Sequence, residues 1–472
     1  MSADAAQLSP QDLPTALRLP DSLRSPVSAD VMPPGSKSLT NRALLLAAMA
    51  SGTSRVRRPL MDADDARQMR AALAQLGAVI EEGPEQSLVV KGVGGRWRPA
   101  CDAATLDLGN AGTAARFLAG ASLLSPVPLT IDGNARMRQR PIGELGTLLA
   151  SLGCGVEYLG NPACPPVRIT PPQGRVSSAT VDVAPTQSSQ FVSALLLVSP
   201  WIHGGITLRM QGAMTSASYV SMTLGLLARL GAHVQTSDGM RTIRVTGDDL
   251  GDGPGLRAFD CTIEPDASGA TYFSAAAAMV PGSRIRVRGI DSRSLQGDAH
   301  FADLLARMGA RVTENTEESW IETEGSRSLV PILADMADMP DAAMTLAAVA
   351  CFAEGASVFH GLETLRVKEC DRIEAMKTEL AKIGVVVESP LAGEDGAMTL
   401  TPPPGGVDCS SQAPPVAFDT YDDHRMAMSL ALIGLRRPNV TINHPACVAK
   451  TYPTFWSELF GLARGGGTGA QA

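Results

Sequence analysis

Several short phrases in this sequence place small polar residues and a lysine or arginine directly before an apolar, helix-like run. The first is Gly35-Ser36-Lys37-Ser38, with Arg42 one helical turn later. Serine hydroxyls, lysine and arginine donate hydrogen bonds to phosphate and carboxylate oxygens. A helix start favours anions, whereas a cation there opposes the helix dipole and needs another reason. These cations therefore indicate a site for small anions, although Ser, Asp and Asn can also serve only as N-caps.

Six such phrases open six similar units along the chain. They lie at residues 35–38, 109–112, 188–190, 266–268, 340–342 and 422–424. A phrase resembling Leu-Gly closes five of the units, at 76–77, 152–153, 230–231, 308–309 and 383–384, about 75 to 78 residues apart. A glycine after an apolar helical run is typical of a helix C-cap before a strand. The repeat predicts an α/β protein of six βαβα-type units, the last of them truncated near Phe460.

Bulk composition excludes several classes of protein. The chain has 472 residues, 44% of them hydrophobic, which suits two large domains. A net charge of −8 argues against a nucleic-acid-binding surface. The eight cysteines form no CxxC pair, so we expect neither a metal nor an organic cofactor. No signal-like N-terminus or run of about twenty apolar residues occurs, so we expect a cytoplasmic protein without a membrane partner. We also expect the protein to be a monomer.

A series of these phrases, in the same order along the chain, resembles the EPSP synthase family of enolpyruvyl transferases. They are residues 34–42, 108–116, 138–141, 188–190, 341, 365–372, 423–428 and 450–453. The resemblance implies an α/β fold of two domains, each with three βαβαββ-type units, and a ligand site in the cleft between the domains. It also implies a discontinuous domain of residues 1–34 and 265–472, which carries both termini, and an inserted domain of residues 35–264.

The resemblance implies transfer of the enolpyruvyl group of phosphoenolpyruvate to the 5-hydroxyl of shikimate 3-phosphate, with release of phosphate, on the route to chorismate and the aromatic amino acids. For shikimate 3-phosphate it implies Lys37, Ser38, Arg42, Ser188, Ser189, Gln190, Ser216, Tyr219, Asp341, Thr364 and Lys368. For phosphoenolpyruvate it implies Lys37, Asn110, Gly112, Arg140, Gln190, Arg372, Arg425 and Lys450. Arginine suits these anions because its planar fork binds such groups through two hydrogen bonds.

Addition followed by elimination through a tetrahedral intermediate needs a base, an acid and cations for the leaving phosphate. The resemblance leads us to expect Asp341 as the base at the hydroxyl, with Lys37 close by. Glu369 is the expected proton donor to C3 of phosphoenolpyruvate, and His424 a residue that tunes or relays. Taken singly, each has a plainer interpretation: Asp341 as an N-cap, Glu369 as a surface ion pair, His424 as a structural hydrogen-bonding residue and Tyr219 as a core side chain.

Two positions depart from the family pattern. Thr364 stands where the family often has Asn, which puts its substrate contact in doubt, and Phe117 replaces a familiar Pro after Arg116. Gly112 is retained. In the family this glycine leaves room that the inhibitor glyphosate also uses, and alanine there excludes the inhibitor. We therefore expect glyphosate to inhibit this protein.

Three other functions compete with this interpretation. The sister enzyme that acts on UDP-N-acetylglucosamine shares the fold, but it usually carries a reactive cysteine just before the Arg-Pro phrase, and residues 131–141 contain none. A non-catalytic anion- or nucleotide-binding protein would have lost the acid and base, yet Asp341 and Glu369 are both present. A larger multifunctional polypeptide is disfavoured because the chain ends soon after its last motif.

Overall fold

A computed structural model describes residues 10–237, 239–251 and 253–463 of the chain. The chain divides into two compact units. One is Gly35–Ile263, called here the inserted unit, and the other combines Met1–Pro34 with Glu264–Ala472 and is called the discontinuous unit. Within the described ranges, no helix has both the length and the apolar character that a membrane crossing requires.

Helices and strands alternate along the described chain, which confirms the predicted α/β class. The α-helices are α1 (Lys37–Met49), α2 (Asp64–Gln75), α3 (Gly112–Ala121), α4 (Gly143–Ser151), α5 (Ser189–Val198), α6 (Ala217–Arg229), α7 (Ala267–Met279), α8 (Phe301–Arg307), α9 (Ala343–Ala350), α10 (Arg372–Ala381), α11 (His424–Ile433) and α12 (Phe455–Leu462). The strands are β1 (Ala16–Arg18), β2 (Ser28–Val31), β3 (Thr53–Arg57), β4 (Val79–Gly83), β5 (Ser87–Lys91), β6 (Ala104–Asp107), β7 (Leu129–Asp132), β8 (Gly155–Tyr158), β9 (Val167–Thr170), β10 (Ser177–Val183), β11 (His203–Met210), β12 (His233–Ser237), β13 (Thr242–Thr246), β14 (Asp248–Asp249), β15 (Pro254–Gly255), β16 (Asp260–Thr262), β17 (Arg284–Arg288), β18 (Arg311–Asn315), β19 (Trp320–Glu324), β20 (Leu333–Asp335), β21 (Ser357–His360), β22 (Val386–Glu388), β23 (Met398–Thr401), β24 (Val416–Phe418) and β25 (Val440–Asn443).

The inserted unit contains three four-stranded sheets of one design. Their strand orders are β6-β7-β9-β8, β10-β11-β13-β12 and β16-β3-β5-β4. In the first, β6 and β7 are parallel, and the hairpin of β8 and β9 adds to β7 in antiparallel fashion. With α3 and α4 between the strands, the element order is β-α-β-α-β-β. The predicted βαβαββ unit is therefore confirmed.

The discontinuous unit repeats this design with one shortened copy. Its sheets have the orders β2-β17-β19-β18, β20-β21-β23-β22 and β1-β25-β24. Strand β2 is parallel to β17, and β1 is antiparallel to β25. Among the described residues the last repeat shows no hairpin of its own, and β1, from the N-terminal stretch outside the family resemblance, supplies the third strand of its sheet.

The strands on either side of the inserted unit's boundaries pair within their own units, with partners far away in the sequence. Strand β2 lies just before the inserted unit in sequence but pairs within the discontinuous unit, and β16 closes the inserted unit by pairing with β3. Both pairings are parallel. Each unit therefore depends on a strand that lies far from its sheet partner in the sequence.

The helix boundaries follow the local signals in the sequence. The side chains of Ser36, Ser188, Asp266 and Asp423 each accept a hydrogen bond from the first turn of α1, α5, α7 and α11, respectively. The predicted C-cap glycines lie in the left-handed region, as single residues after a helix commonly do. They are Gly77, Gly153, Gly231, Gly309 and Gly384, with φ between +81° and +103°.

The first helix of each repeat is buried on all sides. Every residue of α3 and α7 is buried, as expected for Ala-rich helices without a polar face. Helices α1, α3 and α5 pack together in the inserted unit, and α7, α9 and α11 pack together in the discontinuous unit. The polar residues at the N-termini of these helices are therefore the side chains of the bundles that can bind ligands or react.

Candidate active site

Arg372, the first residue of α10, is the centre of a buried ion network in the discontinuous unit. Its side chain is 1% exposed. Its Nε donates to Asp423 Oδ2 at 2.7 Å, its Nη1 to Asp341 Oδ1 at 3.0 Å, and its Nη2 to Glu369 Oε2 at 3.0 Å. Burial alone would lower the pKa of Arg372, but the three carboxylates, Asp423 foremost, raise it above the ordinary value. One guanidinium therefore holds three carboxylates from three segments of the chain.

Three further cations surround the two predicted catalytic carboxylates. Arg425 Nη2 lies 3.0 Å from Asp341 Oδ2, and Lys368 Nζ lies 3.4 Å from Asp341 Oδ1. Lys450 Nζ lies 3.5 Å from Glu369 Oε1. The structure thus brings together these predicted residues of the discontinuous unit.

Asp423 is a member of this network that the sequence analysis did not assign to the site. It is fully buried, and its Oδ1 accepts from the backbone N–H of Arg425 at 2.9 Å as the N-cap of α11. Cys370 Sγ donates to Asp423 Oδ2 at 3.6 Å, and burial raises the pKa of this thiol well above its usual value. An Asp before an apolar run predicts the cap. The second role, holding Arg372, has no signal in the sequence.

His424 and Thr364 lie at the edge of this arrangement. The His424 ring is fully buried, with Nδ1 3.5 Å from Asp423 Oδ1. Thr364, in the 3₁₀ helix Glu363–Val367, is 7% exposed. Its hydroxyl finds no hydrogen-bond partner in the parts of the chain that the structure describes. The relay role of His424 and the substrate contact of Thr364 stay predictions.

A further buried acid, Asp298, interacts electrostatically with Arg425 and Asp341 of the network. Asp298 is 4% exposed, and its Oδ1 has no hydrogen-bond partner among the described residues. Burial raises the pKa of Asp298 to about 7, an effect that Arg425 opposes and that Asp341 and Asp266 reinforce. Near neutral pH this carboxyl is therefore close to the midpoint of its titration. Its burial depends on tertiary packing, which no local sequence pattern indicates.

In the inserted unit, Lys37 and Ser38 lie in the first turn of α1, as predicted. Lys37 Nζ is 3.4 Å from Asp65 Oδ2, and the two side chains are 12% and 3% exposed. Asp65 belongs to the first turn of α2. The ion pair holds the lysine at the start of α1, and Asp65 had not been predicted as its partner.

Arg42 lies deeper than the other predicted anion ligands. It is 1% exposed, and its Nε donates to Thr223 Oγ1 at 2.8 Å. Its Nη1 donates to the carbonyl of Ser38 at 2.9 Å, and its Nη2 to that of Tyr219 at 3.2 Å. Its Cζ lies 5.0 Å from the centre of the Phe117 ring, and burial lowers its pKa to about 10. Arg42 thereby ties α1 to α3 and α6, and its predicted contact with substrate stays a prediction.

Gly112 allows an arginine to lie against the start of α3. Arg140 is 6% exposed, and its Nη1 donates to Asn110 Oδ1 at 3.3 Å and to the Asn110 carbonyl at 3.4 Å. A Cβ on Gly112 would lie 2.6 Å from both Nη atoms of Arg140. Arg116 Nη2 donates to the carbonyl of Pro141 at 2.8 Å and so ties the segment that carries Arg140 to α3. The structure therefore groups Asn110, Gly112 and Arg140, as predicted.

The start of α5 is joined to the start of α3. Ser188 is its N-cap and accepts from the N–H of Gln190 at 3.3 Å. Gln190 Nε2 donates to Thr113 Oγ1 at 3.3 Å, and Ser189 is 6% exposed. Gln190 was predicted to serve both substrates, and the structure places its amide at the junction of the two helices.

Ser216 and Tyr219 belong to the start of α6. Ser216 has φ +49°, and its carbonyl accepts from the N–H of Tyr219 at 3.1 Å. The neighbouring Thr215 hydroxyl donates to the carbonyl of Thr186 at 2.6 Å, next to the α5 phrase. Tyr219 is half-buried, so it is not the core side chain of the plainer interpretation.

The two groups of residues have different chemical capacities. The predicted site residues of the inserted unit include Lys37, two arginines and several residues with a hydroxyl or amide side chain, which can bind phosphate and carboxylate groups. The network of the discontinuous unit has four cations and three carboxylates, a formal balance of +4 − 3 = +1. It can both bind an anion and exchange protons.

Comparison with known proteins gives one consistent result. The family model described as "EPSP synthase (3-phosphoshikimate 1-carboxyvinyltransferase)" matches residues 22–459. A 3-phosphoshikimate 1-carboxyvinyltransferase of Vibrio atlanticus is 42% identical over 434 residues, covering 92% of this chain and 96% of the relative. One from Cupriavidus taiwanensis is 42% identical over 439 residues, covering 91% and 96%.

Solved structures show the same likeness. EPSP synthase from Acinetobacter baumannii superposes with a TM-score of 0.75 at 27% identity, covering 95% of this chain and 97% of that one. The enolpyruvyl transferase NikO from Streptomyces tendae superposes with a TM-score of 0.67 at 18% identity, covering 95% and 96%. At that identity the second likeness concerns the fold alone.

Proposed function

This chain belongs to the EPSP synthase (3-phosphoshikimate 1-carboxyvinyltransferase) family, and on that premise we propose that it transfers the enolpyruvyl group of phosphoenolpyruvate to the 5-hydroxyl of shikimate 3-phosphate. The observation that carries the proposal is the ion network of the discontinuous unit. There Asp341 and Glu369 share one buried guanidinium, that of Arg372, and each also contacts another cation. A non-catalytic anion-binding protein has no need for two carboxylates among its cations, because they weaken anion binding.

Asp341 and Glu369 supply the two proton transfers of the addition step. The substrate hydroxyl attacks C2 of phosphoenolpyruvate and gives its proton to Asp341, while C3 takes a proton from Glu369. The product is a tetrahedral ketal phosphate. In the elimination step the C2–O bond to phosphate breaks and C3 returns a proton to Glu369. The leaving phosphate takes the proton held by Asp341, so both carboxyl groups return to their starting states and inorganic phosphate is released. Arg372 touches both carboxylates and can stabilise whichever of them is ionised at each stage.

The remaining cations bind the charged groups of the substrates. We propose that Arg425, Lys450 and Arg372 bind phosphoenolpyruvate, together with Arg140 and Lys37 of the inserted unit. Lys368 and the serines of the inserted unit, with Tyr219 beside the ring, are assigned to shikimate 3-phosphate. Cations that are already buried and hydrogen-bonded need little rearrangement to stabilise the leaving phosphate, which is how such sites accelerate a reaction.

Release of inorganic phosphate from phosphoenolpyruvate tests the proposal directly. The purified protein is assayed with shikimate 3-phosphate and, in parallel, with UDP-N-acetylglucosamine as acceptor. We expect release only with shikimate 3-phosphate. Release only with the nucleotide sugar would assign the chain to the sister enzyme. Absence of release with either acceptor, combined with calorimetric binding of phosphoenolpyruvate, would identify an anion-binding protein.

Glyphosate should compete with phosphoenolpyruvate, and Gly112→Ala should remove most of that inhibition. The added methyl group would meet the Arg140 guanidinium at 2.6 Å, so the guanidinium must shift. We expect the KM for phosphoenolpyruvate to rise about tenfold, equivalent to a loss of roughly 1.4 kcal/mol of binding. Steady-state kinetics with and without inhibitor measures both effects.

Gly461→Ala, on α12 with open space around the position, is the matched control and should leave both the inhibition and the KM unchanged. Wild-type activity unimpaired by millimolar glyphosate would contradict the prediction.

A further inference from the structure

The turn before α11 has an unfavourable backbone. Tyr421 and Asp422 are consecutive residues in the left-handed region, with φ +55° and +53°. Aspartate tolerates this region, but a bulky residue such as tyrosine rarely adopts it without support from its surroundings. The next residues in the chain are Asp423, which holds Arg372, and Arg425, which contacts Asp341. A change in this turn would therefore displace two members of the ion network.

A buried carboxylate supports the turn. Tyr421 Oη donates to Glu379 Oε1 at 2.8 Å, although 42% of the tyrosine is exposed. Glu379, on α10, is fully buried. Its Oε2 accepts from the N–H of Asp419 at 2.8 Å and from Lys382 Nζ at 2.7 Å. A buried carboxylate is stable only when it is paired and hydrogen-bonded in this way. The tyrosine hydroxyl joins this carboxylate to the left-handed pair.

Helix α10 thus holds the start of α11 at two points. At its first residue Arg372 binds Asp423, and seven residues later Glu379 binds Tyr421. The two points are about 10 Å apart along the helix axis at 1.5 Å per residue. Only the first point belongs to the ion network. The second joins a half-exposed tyrosine to a buried glutamate and lies outside the site described above.

We propose that Tyr421 and Glu379 are positioning residues for phosphoenolpyruvate, acting by holding the left-handed turn and, through it, Asp423 and Arg425. This role rests on the proposed function. Burial and the neighbouring Glu379 raise the pKa of Tyr421 to about 12, so the hydroxyl keeps the proton that it donates. The alternative is that the hydrogen bond only stabilises the fold locally.

Tyr421→Phe tests the role because it removes one hydroxyl from a half-exposed ring. Ser319→Ala is the matched control in the same unit. Ser319 is also left-handed, with φ +55°, and its hydroxyl donates to the buried Asp291 Oδ2 at 2.7 Å. It lies between β18 and β19, in a hairpin that carries no predicted site residue. Both variants therefore lose a hydrogen bond from a hydroxyl to a buried carboxylate, but only Tyr421 adjoins the ion network.

We expect Tyr421→Phe to raise the KM for phosphoenolpyruvate about fivefold, with kcat and the KM for shikimate 3-phosphate within about twofold of wild type, the pattern of lost binding rather than lost chemistry. Hydrogen exchange of the amides of residues 423–428 should accelerate about tenfold in Tyr421→Phe and stay unchanged in Ser319→Ala. Unchanged exchange, or equal kinetic changes in the two variants, overturns the proposal.

The two readouts separate this proposal from the proposed function. If the wild-type protein releases no phosphate, the proposed function fails, and calorimetric binding of phosphoenolpyruvate replaces KM as the measure of the positioning role. The exchange comparison then still decides whether the hydroxyl holds the turn. If the wild type is active but Tyr421→Phe matches it in KM and exchange, the function stands and the positioning role is rejected.

Discussion

Asp341→Asn should lower kcat by roughly 10²- to 10⁴-fold, the usual contribution of a general base. The amide keeps the shape of the side chain but cannot accept the proton of the substrate hydroxyl. Removing one negative charge also changes the formal balance of the network from +1 to +2. The KM for phosphoenolpyruvate should therefore stay level or fall. Steady-state kinetics in both substrates distinguishes this pattern from a general loss of structure.

The control for this variant is Asp303→Asn on α8. That side chain is 73% exposed and belongs to the same unit, and its substitution should leave the kinetics unchanged. A raised KM with kcat preserved in Asp341→Asn would show that Asp341 only orients Arg425 and Lys368. The base would then have to be sought elsewhere, with Lys37 the first candidate.

Arg372→Met should destabilise the discontinuous unit by about 3–5 kcal/mol, because it leaves Asp341, Glu369 and Asp423 without their shared buried cation. Hydrogen exchange of the α11 amides reports on this unit and measures the change. Arg372→Lys keeps the charge, but its compact ammonium lacks the wide planar fork that reaches all three carboxylates, so an intermediate loss of stability is expected. Binding of phosphoenolpyruvate should weaken in both variants.

Arg284→Met provides the comparison for a surface cation. Arg284 is 53% exposed and lies 3.7 Å from Glu322 and from Glu324. Exposed pairs of this kind contribute up to about 1 kcal/mol. If Arg284→Met and Arg372→Met lower the free energy of unfolding equally, the buried network is no more important to stability than a surface pair.

The repeats could be predicted from the sequence because their signals are local. Ser36 and Asp266 cap helices within three residues of themselves, and glycines such as Gly77 end helices through their own φ. A reader of the sequence needs no tertiary information for either. The predicted helix starts and C-cap glycines were therefore confirmed by the structure.

The parts that could not be predicted depend on residues far apart in the chain. Arg42 finds Thr223 181 positions away, and Asp423 finds Arg372 51 positions away. Strand β1 has only three residues, too few to show a periodic pattern, and the partner of Arg18 is 421 positions away. Burial gives Arg42, an expected anion ligand, the further role of linking helices, and it gives the N-cap Asp423 the further role of holding Arg372. The family resemblance identified the positions but not these contacts.

The long stretch of sequence between β2 and its partner strand β17 affects synthesis of the protein. Strand β2 leaves the ribosome early, but the partner of Asp30, Arg288, follows 258 residues later. At roughly 5–20 residues per second, that interval is about 13 to 50 seconds. Every strand of the inserted unit has been made by Thr262, so that unit can fold during the interval while β2 still has an open edge. Strand β2 therefore waits for its partner while the whole inserted unit is made, and a chaperone that covers residues 28–31 would act during that interval.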